Sequence, residues 1–230
     1  MFVTAVVVAA GKGLRLKSKT SKPLIKIGSQ PLIIYSLNTL SNHPSIKNII
    51  VVANRSNLWA IRSKIKEYRI GKIKDVVLGG EARKNSVANG LKAMDNRTDL
   101  VLIHDGVRPF IDKGMISSAI KAAKRYKAAV VGVPVKATIK EIHSSKFKVH
   151  SSLIVKKTLN RENVWEIQTP QVFKKDLILK AYKKFGNADV TDDCQLVEKL
   201  GAKVSVVWGN YKNIKITTPE DLVIAKALAR

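Results

Sequence analysis

Short β-branched runs alternate with amphipathic helical patterns from one end of this chain to the other, and that alternation restricts the fold more than any other feature. Residues 3–8, 48–53, 75–78, 100–104, 129–135, 204–208 and 213–217 read as strands. Several are apolar on both faces, as strands of a parallel sheet must be when helices cover both sides. The intervening segments 31–40, 83–94, 115–126 and 177–185 carry the helical period. The expected fold is therefore α/β: a doubly wound, mostly parallel sheet in a single domain spanning 1–230. The last helix is well signalled, with Thr218 as N-cap, Pro219 at the first helical position, and Glu220 and Asp221 in the first turn. Residues 136–165 break the rhythm: 138–143 and 147–158 alternate around a Ser144-Ser145-Lys146 turn, which predicts a protruding β-hairpin arm. A lone hairpin is marginal in water, so the arm is expected to pack on a second copy of the chain.

Composition narrows the function classes. Lys and Arg number 42 against 17 Asp and Glu, a net charge of +25 that favours anionic partners. The bases are spread along the chain with no basic tail, zinc-finger spacing or aromatic RNA-binding motif, so a solvated lysine-rich surface is expected, not a nucleic-acid module. No apolar run reaches membrane-spanning length, and the run 2–10 lacks the flanks of a signal peptide and reads as a buried strand. The single cysteine, Cys194, excludes an intramolecular disulfide, and the cytoplasm is the natural setting.

Four constellations carry chemistry. Ala9-Ala10-Gly11-Lys12-Gly13-Leu14-Arg15 follows the first strand, with Lys22 seven residues on. Its glycines allow close approach of backbone amides to phosphate, and Arg15 and Lys22 add fixed positive charge. Leu16 stands where a third glycine would complete a dinucleotide fingerprint, and the loop is not a P-loop either. His104-Asp105-Gly106-Val107-Arg108 ends an apolar strand in an acid. Ligands of open α/β sheets collect beyond such strand ends, so Asp105 is placed to hold Mg2+ against nucleotide phosphates. Gly79-Gly80-Glu81-Ala82-Arg83, with Ser86, is a glycine turn entering a helix that could hold a base or ribose. The late segments Asn160-Arg161, Gln168-Thr169-Pro170-Gln171, Val190-Thr191-Asp192-Asp193 and 213–217 hold Arg161 and Lys215, candidates for phosphate binding.

Together and in this order the segments resemble the 2-C-methyl-D-erythritol 4-phosphate cytidylyltransferase family, most specifically at 104–110, 165–173 and 209–222. The resemblance implies a Rossmann-like sheet, a homodimer clasped through the arms, CTP as donor, and the third step of isoprenoid precursor synthesis by the non-mevalonate route. It also implies site roles. Arg15 and Lys22 would stabilise charge on the α-phosphate, assisted by Lys215, and Asp105 would take magnesium. Ala9, Ala10, Gly11, Gly13, Gly80, Glu81 and Ser86 would form the nucleotide pocket. Arg108, Thr138, Arg161, Thr169 and Thr191 would surround the acceptor, with Thr138 and Arg161 reaching in from the neighbouring subunit. His104 is expected to be structural.

The chain departs from the family pattern at Ser21-Lys22-Pro23-Leu24, at Asn160, and at Lys212, where an acid is common. Ribitol 5-phosphate is the alternative acceptor, and a sugar 1-phosphate a more distant one. A basic nucleic-acid-binding protein would explain the charge but gives no reason for Asp105 and the glycine loop to occur together.

Overall fold

The computed structural model describes all residues except 12, 14, 15, 17–19, 144–152 and 230. Strand β1 (Val3–Val8) leads through a small hairpin, β2 (Lys26–Ile27) and β3 (Gln30–Pro31), into helix α1 (Leu32–Ser41). Then follow β4 (Ile46–Ala53), α2 (Leu58–Glu67), β5 (Ile73–Leu78), α3 (Arg83–Lys92), β6 (Leu100–Asp105), α4 (Lys113–Tyr126) and β7 (Ala128–Pro134). The remainder comprises β8 (Lys140–Ile142), β9 (Val155–Thr158), β10 (Trp165–Lys174), α5 (Lys175–Phe185), α6 (Asp193–Glu198), β11 (Ser205–Trp208) and α7 (Pro219–Leu228). Seven strands form the main sheet in the order β11-β7-β10-β6-β1-β4-β5. Only β10 runs antiparallel to its neighbours.

The two-sided strands explain the layers. Val3, Ala5 and Val7 of β1 point into a core with Ile33, Leu37 and Leu40 of α1, Ile61 of α2 and Ile116, Ala119 and Ile120 of α4. Val6 points the other way, with Val87 and Leu91 of α3, Ile178 of α5, and Leu196 and Val197 of α6. A one-residue slip of β1 would exchange these sets and turn Thr4, now bonded to Thr98 at 2.8 Å, into the wrong layer. With each fully buried aliphatic side chain worth about 1.5–3 kcal/mol, register is strongly enforced.

The ends of the helices follow local chemistry. Asp112 caps α4 by accepting from Met115 N at 2.8 Å, and Lys127 closes it with φ of 70°. At α7, Asp221 does more than offset the helix dipole: its Oδ2 accepts from the backbone of Thr217 at 2.7 Å and of Thr218 at 2.8 Å.

Three expectations need correction. Residues 213–217 are not a strand; Ile216 N bonds Val107 O at 3.0 Å, and Asn213 is buried among polar partners, so the segment is pinned to the site and joins no sheet. Residues 165–174 form a central strand, β10, which the polar run Gln168–Gln171 and its internal proline disguise. Helices α2 and α6 also form; α2 has a single fully buried side chain, Ile61, and so little apolar signature. The arm is present as β8 paired antiparallel with β9, from Lys140↔Thr158 to Ile142↔Val155, and its turn at 144–146 lies outside the described residues.

Candidate active site at the carboxyl ends of the strands

In-register pairing of β1 with β6 sets Val8 opposite Asp105, so the loop that begins at Ala9 and the acid that ends β6 emerge side by side. The ladder continues into both turns, with Gly106 N donating to Val8 O at 2.9 Å and Ala9 N to Val52 O at 2.7 Å. Gly13 has φ of +66°, and a Cβ there would stand 3.3 Å from the Lys22 side chain, so glycine both makes the turn and leaves room for the lysine. Across the crevice, a Cβ on Gly79 would fall 2.6 Å from both Ala10 Cβ and Ser86 Oγ, which is why the second turn can close on the first. Ser86 Oγ accepts from Gly80 N at 3.2 Å and braces that turn.

Two cavities meet here. The larger, about 730 Å³, is lined by Ala9, Ala10, Gly11, Gly13, Lys22, Gly80, Glu81 and Ser86. The smaller, about 420 Å³, is lined by Arg108, Thr169, Gln171, Thr191 and Asp192. Arg83, Asp105 and Lys215 line both and form their common floor. Asp105 Oδ1 accepts from Arg83 Nε at 3.0 Å and Oδ2 from Lys215 Nζ at 2.7 Å. Burial alone would raise the Asp105 carboxyl, but Arg83 and Lys215 outweigh it and hold the group well below the usual carboxylate range.

The floor is supported from beneath. Thr169 Oγ1 accepts from Asp105 N at 3.1 Å and lies 3.0 Å from His104 Nδ1, while His104 Nε2 lies 3.0 Å from the Arg108 carbonyl. A carbonyl can only accept, so His104 carries its proton on Nε2 and takes the Thr169 hydroxyl proton on Nδ1. Burial pushes this imidazole down to about 4, so it is neutral at pH 7. Arg108 Nη1 donates to Asn213 O at 2.7 Å, and its buried Nε–H has no acceptor among the described residues. Burial lowers the Arg108 guanidinium, with Asp105 and Glu166 opposing. Asn213 Nδ2 in turn donates to Gln168 Oε1 at 3.1 Å and to Thr169 O at 2.9 Å, which fixes the segment carrying Lys215.

Sequence reasoning thus placed Ala9, Ala10, Gly11, Gly13, Lys22, Gly80, Glu81, Ser86, Asp105, Arg108, Thr169, Thr191 and Lys215 around these two cavities, and the structure brings them together. Arg15 lies outside the described residues. Thr138 and Arg161 are exposed and line neither cavity of their own chain; Arg161 Nη1 donates to Lys136 O at 3.2 Å at the base of the arm. Lys212 is exposed and also lines neither. Two residues were missed as site members, Arg83 and its partner Asp193. Each lies in one of the motifs above, but an Arg at the first position of a helix and an Asp beside an N-cap carry no signal of pairing across 110 residues. Among the described residues no three His, Cys, Asp or Glu side chains cluster as a metal cage. A cation at Asp105 would need substrate oxygens and water for its remaining ligands, which is how magnesium is commonly held.

A doubly wound sheet that gathers a glycine loop, lysine and arginine cations and a buried acid at a single crevice is organised to handle a nucleoside triphosphate, and the class it defines is the nucleotidyltransferases. The family described as IspD: 2-C-methyl-D-erythritol 4-phosphate cytidylyltransferase matches residues 3–230, and this chain belongs to it. The enzyme of that name from Caldanaerobacter subterraneus subsp. tengcongensis is 43% identical over 233 residues, covering 100% of both chains. Its counterpart from Syntrophus aciditrophicus is 42% identical, covering 99% of this chain and 96% of the relative. The crystal structure of 4-diphosphocytidyl-2C-methyl-D-erythritol synthase from Anaerococcus prevotii superposes with a TM-score of 0.86 at 38% identity, covering 100% of this chain and 96% of that one.

Proposed function

We propose that this chain transfers the cytidylyl group of CTP to 2-C-methyl-D-erythritol 4-phosphate and releases pyrophosphate, within the non-mevalonate route to isoprenoid precursors. One observation carries the reading: in a member of this family, a triphosphate-sized cavity and a smaller cavity lined by Arg108 share the Arg83–Asp105–Lys215 floor. The triphosphate occupies the larger cavity and the polyol phosphate the smaller. An oxygen of the acceptor phosphate attacks the α-phosphorus, a new P–O bond forms, and the bond to the β-phosphate bridging oxygen breaks in line. The nucleophile is already anionic, so no side chain need remove a proton. Lys22 and Arg15 neutralise charge spreading over the α-phosphate, and Lys215, released from Asp105, serves the same centre from the acceptor side. The unpartnered Nε–H of Arg108 is a donor available for the acceptor phosphate. Magnesium held by Asp105 and phosphate oxygens would supply further charge neutralisation.

The chain is further proposed to work as a homodimer in the cytoplasm. Leu153, Ile154 and Val155 of the arm are 59%, 65% and 53% exposed, and Trp208, edge-on to Trp165 at 4.9 Å, is 69% exposed. An apolar arm left in water favours a second copy as its cover, which would bring Thr138 and Arg161 to the partner's acceptor cavity. No helix among the described residues is long and apolar enough to cross a membrane, and the free cysteine is buried.

The test is pyrophosphate release with CTP and magnesium, offering methylerythritol 4-phosphate and ribitol 5-phosphate separately. Release with the first acceptor alone is expected. Release with ribitol 5-phosphate alone would overturn the acceptor assignment while keeping the nucleotide half.

A further inference from the structure

Arg83 is the first residue of α3 and the member of the shared floor that joins two buried acids. Its Nε donates to Asp105 Oδ1 at 3.0 Å, and its Nη1 donates to Asp193 Oδ2 at 2.7 Å. Asp193 is 1% exposed, lines neither cavity, and takes the Tyr182 hydroxyl on its other oxygen. The result is a run of alternating charge, from Asp193 through Arg83 and Asp105 to Lys215, in which every link is a charge-assisted hydrogen bond.

Along this run the members differ in freedom. The Arg83 side chain is 26% exposed and held at two points, whereas Lys215 is 38% exposed and held to Asp105 at one. Oδ1 of Asp105 is thus bound by a rigid fork and Oδ2 by a single flexible ammonium. Arg83 also ties the turn carrying Gly80 and Glu81, on the nucleotide side, to α6, whose N-terminal end with Asp192 and the adjacent Thr191 walls the acceptor side.

We propose that Arg83 is a positioning residue: anchored on Asp193, it fixes one oxygen of Asp105 and the spacing between the two cavities, and leaves the other oxygen as the exchangeable one. The kinetic part of this rests on the cytidylyl-transfer reading above. Asp193 lines neither cavity, so its bond to Arg83 acts on the direction of the guanidinium and not on the contents of the site. Lysine cannot replace it, because one ammonium cannot span both carboxylates in a fixed direction.

The decisive variant is Asp193→Asn, which alters no group lining either cavity. Its kcat is expected to fall by about 10- to 100-fold, the scale of a misplaced reacting geometry, with KM for CTP changed less than about threefold. Arg83→Lys should show the same split despite keeping its charge, and the double variant should be no worse than the poorer single one. The crystal structure of unliganded Asp193→Asn should show the guanidinium withdrawn from Asp105. An unchanged kcat in either folded variant overturns the proposal, as does a rise in KM for CTP that accounts for the whole loss, which would make Arg83 a nucleotide ligand. Wild-type enzyme inactive with both polyol phosphates would instead sink the activity reading. In that case the crystal structure decides alone: an Arg83–Asp105 contact intact in Asp193→Asn overturns the positioning role. If Asp193→Asn fails to fold, Arg83→Lys supplies both the kinetic split and the structure.

Discussion

His104 ties the stability of the active-site floor to pH, and the size of the effect can be worked from its surroundings. The ring is completely buried, accepts the Thr169 hydroxyl proton on Nδ1 and donates from Nε2 to the Arg108 carbonyl. Burial lowers its pKa from 6.5 in the open chain to about 4 in the fold. The unfolded chain therefore binds the proton more readily, and stability falls as pH drops from the unfolded value towards the folded one. That contribution is fully present above about pH 6.5 and is lost progressively down to about pH 4, where both states are protonated. Between pH 7 and pH 5 the loss from this one group is about 2 kcal/mol at about 1.36 kcal/mol per pKa unit. His43 is also lowered, by burial and then by Lys72 and Lys113, so the wild-type slope contains both imidazoles. His104→Gln isolates the first, because glutamine keeps one donor and one acceptor. Urea unfolding at the two pH values should show the wild type losing about 2 kcal/mol more than the variant. Equal losses in the two proteins would refute the reasoning.

Lys22→Ala and Lys215→Ala should each lower kcat by about 10²- to 10³-fold in steady-state pyrophosphate release, with a thermal midpoint close to that of the wild type. Gly79→Ala places a methyl 2.6 Å from Ala10 Cβ and Ser86 Oγ. It should cost about 1–3 kcal/mol in denaturant unfolding and raise KM for CTP more than KM for the acceptor. If Arg161 acts in the partner's site, Arg161→Ala and Asp105→Asn dimers, each inactive, should regain about a quarter of wild-type activity after mixed unfolding and refolding, because half of the dimers would then hold one intact site. No recovery would show that Arg161 acts in its own chain, and an active Arg161→Ala parent would show that it has no role.

The sheet was legible because its strands are apolar on both faces, and the first turns because glycines and an acid stand directly after such strands. Asp105 and the glycine positions could be read for the same reason, since local chemistry at a strand end has few other uses, and Lys22 only through its place in the motif that follows the first glycine loop. β10 was hidden because Gln168, Thr169 and Gln171 are polar for the sake of the site, and the burial that makes them strand residues comes from β6 and β7, far off in sequence. Residues 213–217 erred the other way. The alternation of Ile214 and Ile216 is real, but it packs the segment onto a small satellite core with Ile27, Leu32 and Ala225 and forms no ladder. Arg83 and Asp193 were opaque because their meaning exists only as a pair, and no local pattern encodes a partner 110 residues away.

The placing of β10 has a bearing on how such an enzyme can change over generations. Its first residues adjoin the arm, its middle supplies Thr169 and Gln171 to the smaller cavity, and its end is locked between β6 and β7. The wall of the larger cavity, by contrast, comes chiefly from turns that follow β1, β4 and β5. If the nucleotide binds there as proposed, choice of base depends on these turns and not on the strands of the sheet. If the smaller cavity takes the acceptor and the arm meets a second copy, as proposed, a change of acceptor falls on a strand adjoining the arm, and a new polyol specificity should arrive with compensating changes in assembly.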